Sequence, residues 1–155
     1  MPETEQTLVV GPDGHARPPW AATDPLMRDY YDTEWGVAVY EETALFEQLS
    51  LEVFQAGLSW RTILAKRRAL REAFSGFNPD VVATYREPEI SDLLSRPQII
   101  RNRRKIEATI INAAAVIALR PNGGLSELLW SFPGLPFRGA GHSACPHGGR
   151  GNNRT

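Results

Sequence analysis

The sequence predicts an all-α fold in one helical domain. Apolar residues recur at helical spacing, proline repeatedly follows a capping or acidic residue, and no segment alternates as a strand does. The chain has 155 residues, of which 42% are apolar and 23% charged. A chain of this size and composition can bury one sizeable core, which excludes wholesale disorder and a fibrous repeat.

The first two predicted helices are marked by a cap and by an apolar arc. Asp24 and Pro25 can serve as the N-cap and first residue of a short helix through Tyr31. A longer helix is predicted from Glu41 to Leu58 and is apolar on more than one side. Its main apolar arc comprises Leu45, Phe46, Leu49, Val53 and Ala56.

Three further helices are predicted in the middle of the chain. Ser59 can cap a helix that runs to about Ser75 and ends at Gly76. Two short helices then open at Asn78-Pro79 and Glu87-Pro88, because each pair joins a capping or acidic residue to proline in the first turn.

The clearest helical periodicity comes late in the sequence. A long helix there ends at Arg120-Pro121, because proline cannot continue it. A last helical piece runs from Leu125 to Phe132. The repeating apolar positions of the long helix are Ile106, Ile110, Ala113 and Ile117.

The two ends of the chain differ in composition from the helical domain, which is predicted over residues 17–132. Residues 1–16 mix Pro, Gly, Thr and acids without periodicity, which predicts a flexible N-terminal arm. Residues 133–155 are rich in glycine and proline and predict an irregular tail. A frame change or a truncation would produce such an ending.

The chain carries none of the sequence marks of export. Cys145 is the single cysteine, so no disulfide framework is expected, and the N-terminus is acidic where a signal peptide would be basic. No apolar run approaches the roughly 18 residues that span a bilayer. These features predict a cytoplasmic protein with no membrane partner.

Charge is distributed unevenly along the chain. Residues 1–52 carry 11 acidic and 2 basic side chains, and residues 53–155 carry 7 and 15, so a polyanion could dock only on the second part. The alternative is two solvated helix faces. The basic clusters are Arg61, Lys66, Arg67, Arg68 and Arg71, and Arg96, Arg101, Arg103, Arg104 and Lys105.

Glu52 is the most informative single residue. It falls at the edge of the apolar arc, so we expect a partly desolvated carboxylate with a donor partner. The corner QAGLSW at residues 55–60 follows it, and four aromatic residues precede it. An acid beside aromatic rings suits a flat, cationic, nitrogen-rich ring, but a structural hydrogen bond and a purely aromatic core are open alternatives. The four are Trp20, Tyr30, Tyr31 and Trp35.

A second pattern is the run IIRNRRKI at residues 99–106. Two isoleucines precede a basic segment that opens a helix, and backbone N–H groups with basic side chains at a helix N-terminus bind phosphate. Such contacts hold nucleic acid without reading its sequence. We call residues 96–106 the basic hairpin.

Four segments together resemble the 3-methyladenine DNA glycosylase I family, in their order and approximate spacing, over about residues 17–132. That family is an all-α member of the helix-hairpin-helix glycosylases. It hydrolyses the N-glycosidic bond of 3-methyladenine in DNA during base-excision repair and leaves an abasic site. The segments are DTEWGV (32–37), LE with QAGLSW (51–60), IIRNRRKI (99–106) and LWSF (129–132).

The resemblance implies a pocket for the methylated base. Glu52 matches the glutamate that hydrogen-bonds the base, Tyr30 and Trp60 match the rings that stack on it, and Trp20 matches a further aromatic near the pocket. The base must be rotated out of the duplex. Because N3-methylation makes adenine a cationic leaving group, we expect Glu52 to orient and stabilise the departing base while water attacks an oxocarbenium-like sugar.

The resemblance also implies contacts to duplex DNA that carries alkylated bases, made by a monomer. Gly57 and Leu58 match the corner that enters the duplex where the base has left. The basic hairpin matches the element that grips the DNA backbone. Its matching residues are Ile100, Arg101, Arg103 and Lys105.

One family feature is expected to be missing. The family carries a structural zinc, but its N-terminal ligand positions correspond to Pro18 and Tyr31, and neither suits zinc. The tail offers a fortuitous cluster, which is a weak signal. We therefore predict no metal and no cofactor. The tail residues concerned are His142, Cys145 and His147.

Two other classes of function stay open. One is a catalytically impaired DNA-binding remnant of this family, which would bind duplex DNA with steep salt dependence and release no base. The other is a small helical interaction protein whose aromatic residues are core and whose basic faces only confer solubility.

Overall fold

The computed structural model describes residues 8–132, and this part of the chain is helical apart from one short β-ladder. The predicted all-α class is confirmed. In chain order the elements are β1 (Val9–Val10), β2 (Ala16–Arg17), α1 (Pro19–Ala22), α2 (Pro25–Thr33), α3 (Glu42–Gln55), α4 (Trp60–Ala73), a 3₁₀ turn (Ser75–Phe77), α5 (Pro79–Val82), α6 (Glu87–Ser95), α7 (Arg103–Leu119), a 3₁₀ turn (Arg120–Asn122) and α8 (Gly124–Ser131).

Helix α3 lies at the centre of the described core. It packs against α4, α7 and α8, while α5 and α6 pack on α7. Four phenylalanines with no exposed surface fill the space between these helices, and their burial supplies much of the hydrophobic stabilisation. They are Phe46, Phe54, Phe74 and Phe77.

The buried face of α3 differs from the predicted apolar arc. Leu49 and Val53 are only half-buried and Ala56 is exposed, because the core takes the aromatic side of the helix instead. The helix also ends three residues earlier than predicted, since Ala56 has an extended ψ of 114° and Gly57 a φ of +80°. The buried side chains are Leu45, Phe46, Glu47, Ser50, Leu51 and Phe54.

The buried face of helix α7 also differs from the face predicted from its apolar repeat. Ile106 and Ala113 are buried as predicted, but Thr109 and Val116 take the positions expected for isoleucines. The predicted positions Ile110 and Ile117 are half-buried. Ridge packing against several neighbours widens the buried stripe beyond the sequence periodicity. No helix within residues 8–132 is long and apolar enough to cross a membrane.

The second half of the predicted N-terminal arm has regular structure. Val9 pairs with Arg17 and Val10 with Ala16 in an antiparallel ladder, and α1 follows directly. Two-residue strands are too short to show the alternation that predicts a strand, so the sequence analysis could not detect them. Residues 1–7 and the predicted tail, residues 133–155, lie outside the described residues, so the three-part division of the chain stays a prediction.

The ladder is fixed to α2 by one guanidinium. Arg17 is 5% exposed and donates to Asp32 at 2.8 and 2.6 Å and to Asp13 at 3.0 and 2.7 Å. Two bidentate pairs of this kind restrict orientation as well as distance. The start of the described chain is therefore held against α2.

Candidate functional site

A cleft of about 500 Å³ lies between the α1–α2 segment and the corner that joins α3 to α4. All four residues predicted for the base pocket line it. The sequence also pointed to Trp35 as part of the aromatic concentration and to Gln55 as the first residue of the corner QAGLSW, but Met27 had no sequence signal. The lining residues are Trp20, Met27, Tyr30, Trp35, Glu52, Gln55 and Trp60.

The aromatic residues at the cleft form two groups. Tyr30 and Trp60 have ring centroids 5.4 Å apart at an interplanar angle of 61°. Trp20 meets the edge of Tyr31 at 5.4 Å and that of Trp35 at 6.3 Å. Edge-on packing of this kind fixes the rings of Tyr30, Trp60 and Trp20 without stacking them face to face, whereas Trp35 also stacks on Tyr31.

Glu52 does not have the environment predicted from its helix position. It is exposed, and no donor within residues 8–132 hydrogen-bonds its carboxylate. The reason is geometric. Glu52 and Phe54 are two positions apart on α3, which places their side chains about 200° apart around the helix axis. Because Phe54 is buried, Glu52 points away from the core and toward the cleft. Its oxygens are free to accept hydrogen bonds from a ligand.

Tyr30 keeps its proton at this site. Burial raises the pKa of its phenol above the ordinary value, and the nearby charges of Glu34 and Glu52 raise it further. The hydroxyl lies close to the indole of Trp60, but the buried Nε1–H of Trp60 has no acceptor in hydrogen-bond geometry within residues 8–132. Tyr30 therefore offers the cleft a neutral ring at physiological pH.

An ion-pair network supports the cleft from behind. Arg67 donates to Glu47 at 2.5 Å and to both oxygens of Glu34 at 2.7 Å, and Arg71 donates to Glu47 at 2.8 Å. Glu47 is only 7% exposed, so its charge needs these partners. The network joins α3 and α4 to the residue that follows α2.

Many residues of the first basic cluster have hydrogen-bond or ion-pair partners within the fold. Arg61 pairs with Asp24, and Lys66 donates to the Gln98 carbonyl at 3.0 Å. Arg68 pairs with Glu72 one helical turn away at 3.0 Å. The first basic cluster is thus bound largely within the fold.

The corner after α3 is a tight turn stabilised by Gln55. The Leu58 amide donates to the Gln55 carbonyl at 2.6 Å, and the Gln55 side chain donates back to the Leu58 carbonyl at 3.0 Å. Ser59 then caps α4 by accepting from the Thr62 amide at 3.2 Å. As a result Gly57 and Leu58 are exposed at the edge of the cleft.

The basic hairpin presents only some of its cations to solvent. The side chains of Arg101 and Arg104 are exposed and make no hydrogen bond or ion pair with other described residues. Arg103 instead pairs with Glu87 at 2.6 Å and Glu107 at 3.2 Å. Buried Ile99 and half-buried Ile100 anchor the turn to the core.

Lys105 has partners that the sequence did not indicate. Its Nζ donates to the carbonyl of Phe54 at 2.7 Å and to that of Ala56 at 2.6 Å. The ammonium therefore lies against the end of α3, whereas the prediction was a contact with DNA phosphate.

The predicted zinc ligand positions do not fit a metal. Pro18 has no side-chain donor, and the Tyr31 ring stacks on Trp35 with centroids 5.4 Å apart. No group of three or more His, Cys, Asp or Glu suited to a metal occurs within residues 8–132. The three possible ligands in the tail lie outside the described residues, so the absence of zinc stays a prediction.

The fold matches solved DNA glycosylases. A crystal structure of 3-methyladenine DNA glycosylase I aligns with a TM-score of 0.71 at 43% identity and covers 74% of this chain and 63% of that chain. A tyrosine-to-phenylalanine variant of such an enzyme, in complex with 3-methyladenine, aligns with a TM-score of 0.68 at 39% identity over 70% of this chain and 59% of that one. This chain therefore has the fold of the helical DNA glycosylases.

Sequence comparison identifies the family within that class. The methyladenine glycosylase family model matches residues 20–142. DNA-3-methyladenine glycosylase of Haemophilus influenzae is 40% identical over 117 residues, which are 75% of this chain and 63% of that protein. DNA-3-methyladenine glycosylase 1 of Escherichia coli is 43% identical over 114 residues, which are 73% and 61%.

The chain belongs to the methyladenine glycosylase family. The resemblance predicted from the four sequence segments is confirmed. The part of this chain that aligns corresponds to less than two thirds of each of these relatives.

Proposed function

We propose that the protein is a DNA-3-methyladenine glycosylase of base-excision repair, which flips the damaged nucleotide out of the duplex and hydrolyses its N-glycosidic bond. The observation that carries this proposal is the cleft in which the unpaired carboxylate of Glu52 adjoins the rings of Tyr30, Trp60 and Trp20. Membership of the methyladenine glycosylase family supports the same activity.

The cleft suits a cationic purine. Aromatic faces attract a positively charged base and stack on it, whichever nucleotides flank that base in the DNA. A carboxylate accepts the N–H groups of the base and offsets its charge. Neutral adenine lacks that charge, so the cleft favours the methylated base over the undamaged one.

The role proposed for Glu52 is to bind and orient the departing base. A cationic base is already a good leaving group, so the reaction needs little acid catalysis from the protein. The base leaves with the glycosidic electron pair and becomes neutral, water adds to C1′ of the oxocarbenium-like sugar as a hydroxyl, and its remaining proton passes to solvent. Glu52 acts by stabilising charge as that bond breaks.

DNA binding is assigned to the corner and to the basic hairpin. Leu58 is the side chain proposed to fill the space left by the flipped base, with Gly57 allowing close approach of the duplex. Arg101 supplies a free cation beside half-buried Ile100. Arg103 is bound to Glu87 and Glu107, but such exposed pairs are weak and exchange readily for phosphate.

This proposal implies a monomer that acts on duplex DNA in the cytoplasm. Bacterial relatives of the same family are DNA-3-methyladenine glycosylases, which supports that setting.

The deciding test is release of free 3-methyladenine from alkylated duplex DNA, with circular dichroism to verify folding. Glu52→Gln should lower the single-turnover rate by about tenfold or more, which corresponds to at least about 1.4 kcal/mol of transition-state stabilisation. DNA affinity should change by less than about twofold, because Glu52 makes no contact with the backbone in this scheme.

The matched control is Glu127→Gln. Glu127 is an exposed glutamate on α8 that makes no hydrogen bond or ion pair within the described residues, so its replacement removes the same charge without touching the cleft. An excision rate equal in the two variants and the parent protein would refute the role of Glu52. A folded protein that binds DNA but releases no base would favour the catalytically impaired DNA-binding alternative.

A further inference from the structure

The two hydrogen bonds of Lys105 join parts of the chain that are far apart in sequence. Its Nζ reaches the Phe54 carbonyl across 51 residues at 2.7 Å and the Ala56 carbonyl across 49 residues at 2.6 Å. The last carbonyls of an α-helix have no partner within the helix, and a lysine is a suitable donor to them. Charge-assisted bonds of this length are among the stronger ones in proteins.

The two acceptor carbonyls belong to the residues on either side of Gln55, which lines the cleft. Phe54 is fully buried in the core, and Ala56 directly precedes Gly57 at the corner. Gln55, between them, lines the cleft and bonds to the Leu58 carbonyl. The ammonium therefore fixes the backbone from the core to the start of the corner.

The backbone of Lys105 belongs to the basic hairpin. Its amide donates to the Asn102 side chain at 3.2 Å in the first turn of α7, directly after the free cation Arg104. Within residues 8–132 no other side-chain hydrogen bond links the basic hairpin to the end of α3 or to the corner. Besides the apolar packing of the core, one side chain thus connects the two elements proposed to bind DNA.

We propose that Lys105 is a positioning residue, whose ammonium holds the end of α3 against the basic hairpin so that Leu58 and Gln55 are correctly placed when the hairpin binds DNA. This inference rests on the proposed function. It replaces the phosphate contact predicted for Lys105, because two of its three N–H donors are already committed to backbone carbonyls.

Loss of this link should affect the chemical step more than DNA binding. The exposed cations that reach phosphate set affinity and its salt dependence, whereas the corner sets the geometry of the flipped nucleotide. A displacement of about 1 Å in a positioning element can cost about a hundredfold in rate. The two roles therefore have different kinetic signatures.

The chain offers a matched control next to Lys105. Lys105→Met and Arg104→Met each remove one positive charge from the first turn of α7, but only Lys105 contacts the end of α3. The probe is a duplex with one alkylated adenine, and the readouts are the salt dependence of its Kd and the single-turnover rate at saturating enzyme. Lys105→Gln replaces Lys105→Met if the methionine variant fails to fold.

We expect the two variants to change different quantities, the salt dependence of Kd in Arg104→Met and the single-turnover rate in Lys105→Met. Arg104→Met should reduce the slope of log Kd against log salt by about one, because it removes a cation that reaches phosphate. Lys105→Met should leave the slope unchanged and lower the rate by about tenfold or more. A reduced slope with an unchanged rate in Lys105→Met would show that Lys105 is a phosphate ligand and would overturn the proposal.

A double-mutant cycle tests whether Lys105 acts through the corner. If it does, Leu58→Ala combined with Lys105→Met should cost less than the product of the two single effects on rate, because both changes disturb one element. Strictly multiplicative effects would overturn the proposal, since they would mean that the two residues act independently.

A measurement without DNA separates this inference from the proposed function. The amides of Ala56 and Leu58 are hydrogen-bonded to the carbonyls of Glu52 and Gln55, and their hydrogen exchange should be faster in Lys105→Met than in Arg104→Met or the parent protein. Faster exchange in a protein that releases no base would refute the glycosylase activity but retain the structural link. Unchanged exchange in Lys105→Met would overturn the link, whether or not base is released.

Discussion

Tyr30 occupies the cleft as a ring that stays neutral. Burial, Glu34 and Glu52 all raise the pKa of its phenol, so it does not ionise in the range where DNA is stable. A phenolate would attract a cationic base electrostatically, but the proposed function gives that role to Glu52. The contribution expected of Tyr30 is therefore its π face.

Replacing the ring and removing only the hydroxyl should have different effects. Tyr30→Leu should weaken binding of a stacked purine by about 1–3 kcal/mol, or about tenfold or more in Kd, because one stacking face is lost. Tyr30→Phe keeps the ring and should stay within about twofold. Titration of both variants with free 3-methyladenine measures this, and equal losses in the two variants would contradict it.

At the level of single residues, the sequence correctly predicted which side chains share the cleft. It was less successful in predicting the burial and the hydrogen-bond partners of each side chain. Glu52 and three aromatic rings do share one cleft, and family resemblance and local aromatic density were enough to indicate it. The predicted burial of Glu52 was wrong, since α3 has two apolar faces and a helical wheel cannot tell which one packs. The partners of Lys105 are 49 and 51 residues away, and no local pattern encodes such a contact.

Among the elements, the corner between α3 and α4 depends on one glycine. Gly57 has a φ of +80°, which L side chains rarely adopt, although no atom within 4 Å would clash with an added Cβ. Substitution there thus costs backbone strain alone. Gly76 has the same combination of positive φ and open space, but it lies in the 3₁₀ turn after α4, and the cleft lining does not include it.

These two glycines permit a paired experiment. Gly57→Ala and Gly76→Ala should each lower the free energy of unfolding by about 1–2 kcal/mol, as measured by urea denaturation. Only Gly57→Ala should also lower the single-turnover excision rate, because it alone alters the element proposed to enter the duplex. Equal excision rates in the two variants would show that the shape of the corner does not matter for catalysis.

The helices and their caps were the most predictable elements. Asp24, Ser59 and Asn78 cap the helices that they were predicted to cap. Proline and capping side chains act within one turn, so local sequence suffices to predict them. The β-ladder and α1 escaped prediction because their order depends on Arg17 reaching Asp32 on α2.

Across the whole molecule, the acidic first part of the chain neutralises much of the basic second part. Arg61 pairs with Asp24, Arg67 with Glu34 and Glu47, and Arg120 with Glu42. Charge counted along the sequence suggested a broad surface for a polyanion. The fold instead leaves Arg101 and Arg104 as the basic-hairpin cations without a described partner.

This internal pairing predicts loss of stability in acid. Hydrogen bonds from Arg61, Arg120 and Arg103 hold the pKa of Asp24, Asp80 and Glu87 below their ordinary values. A carboxyl whose pKa is lowered by folding stabilises the protein above its unfolded pKa, near 4, and loses that contribution as the pH falls through its folded pKa. Stability should therefore be steady near neutrality and decline below about pH 4.

Urea denaturation at a series of pH values measures this decline. Arg120→Gln should make it shallower, because the partner of Asp80 is removed, whereas Arg104→Gln removes an equal charge that has no described partner and should leave it unchanged. Stability that rose on acidification from pH 5 to pH 3 would contradict the assignment of these pairs.

The arrangement of the tryptophans gives the protein a built-in optical probe. Three of its four tryptophans, Trp20, Trp35 and Trp60, line the cleft, while Trp130 stacks on Tyr40 with ring centroids 5.0 Å apart. A purine stacked in the cleft would quench the emission of the first three and leave Trp130 as a constant background. The occupancy of the site can therefore be followed by the intrinsic fluorescence of unlabelled protein.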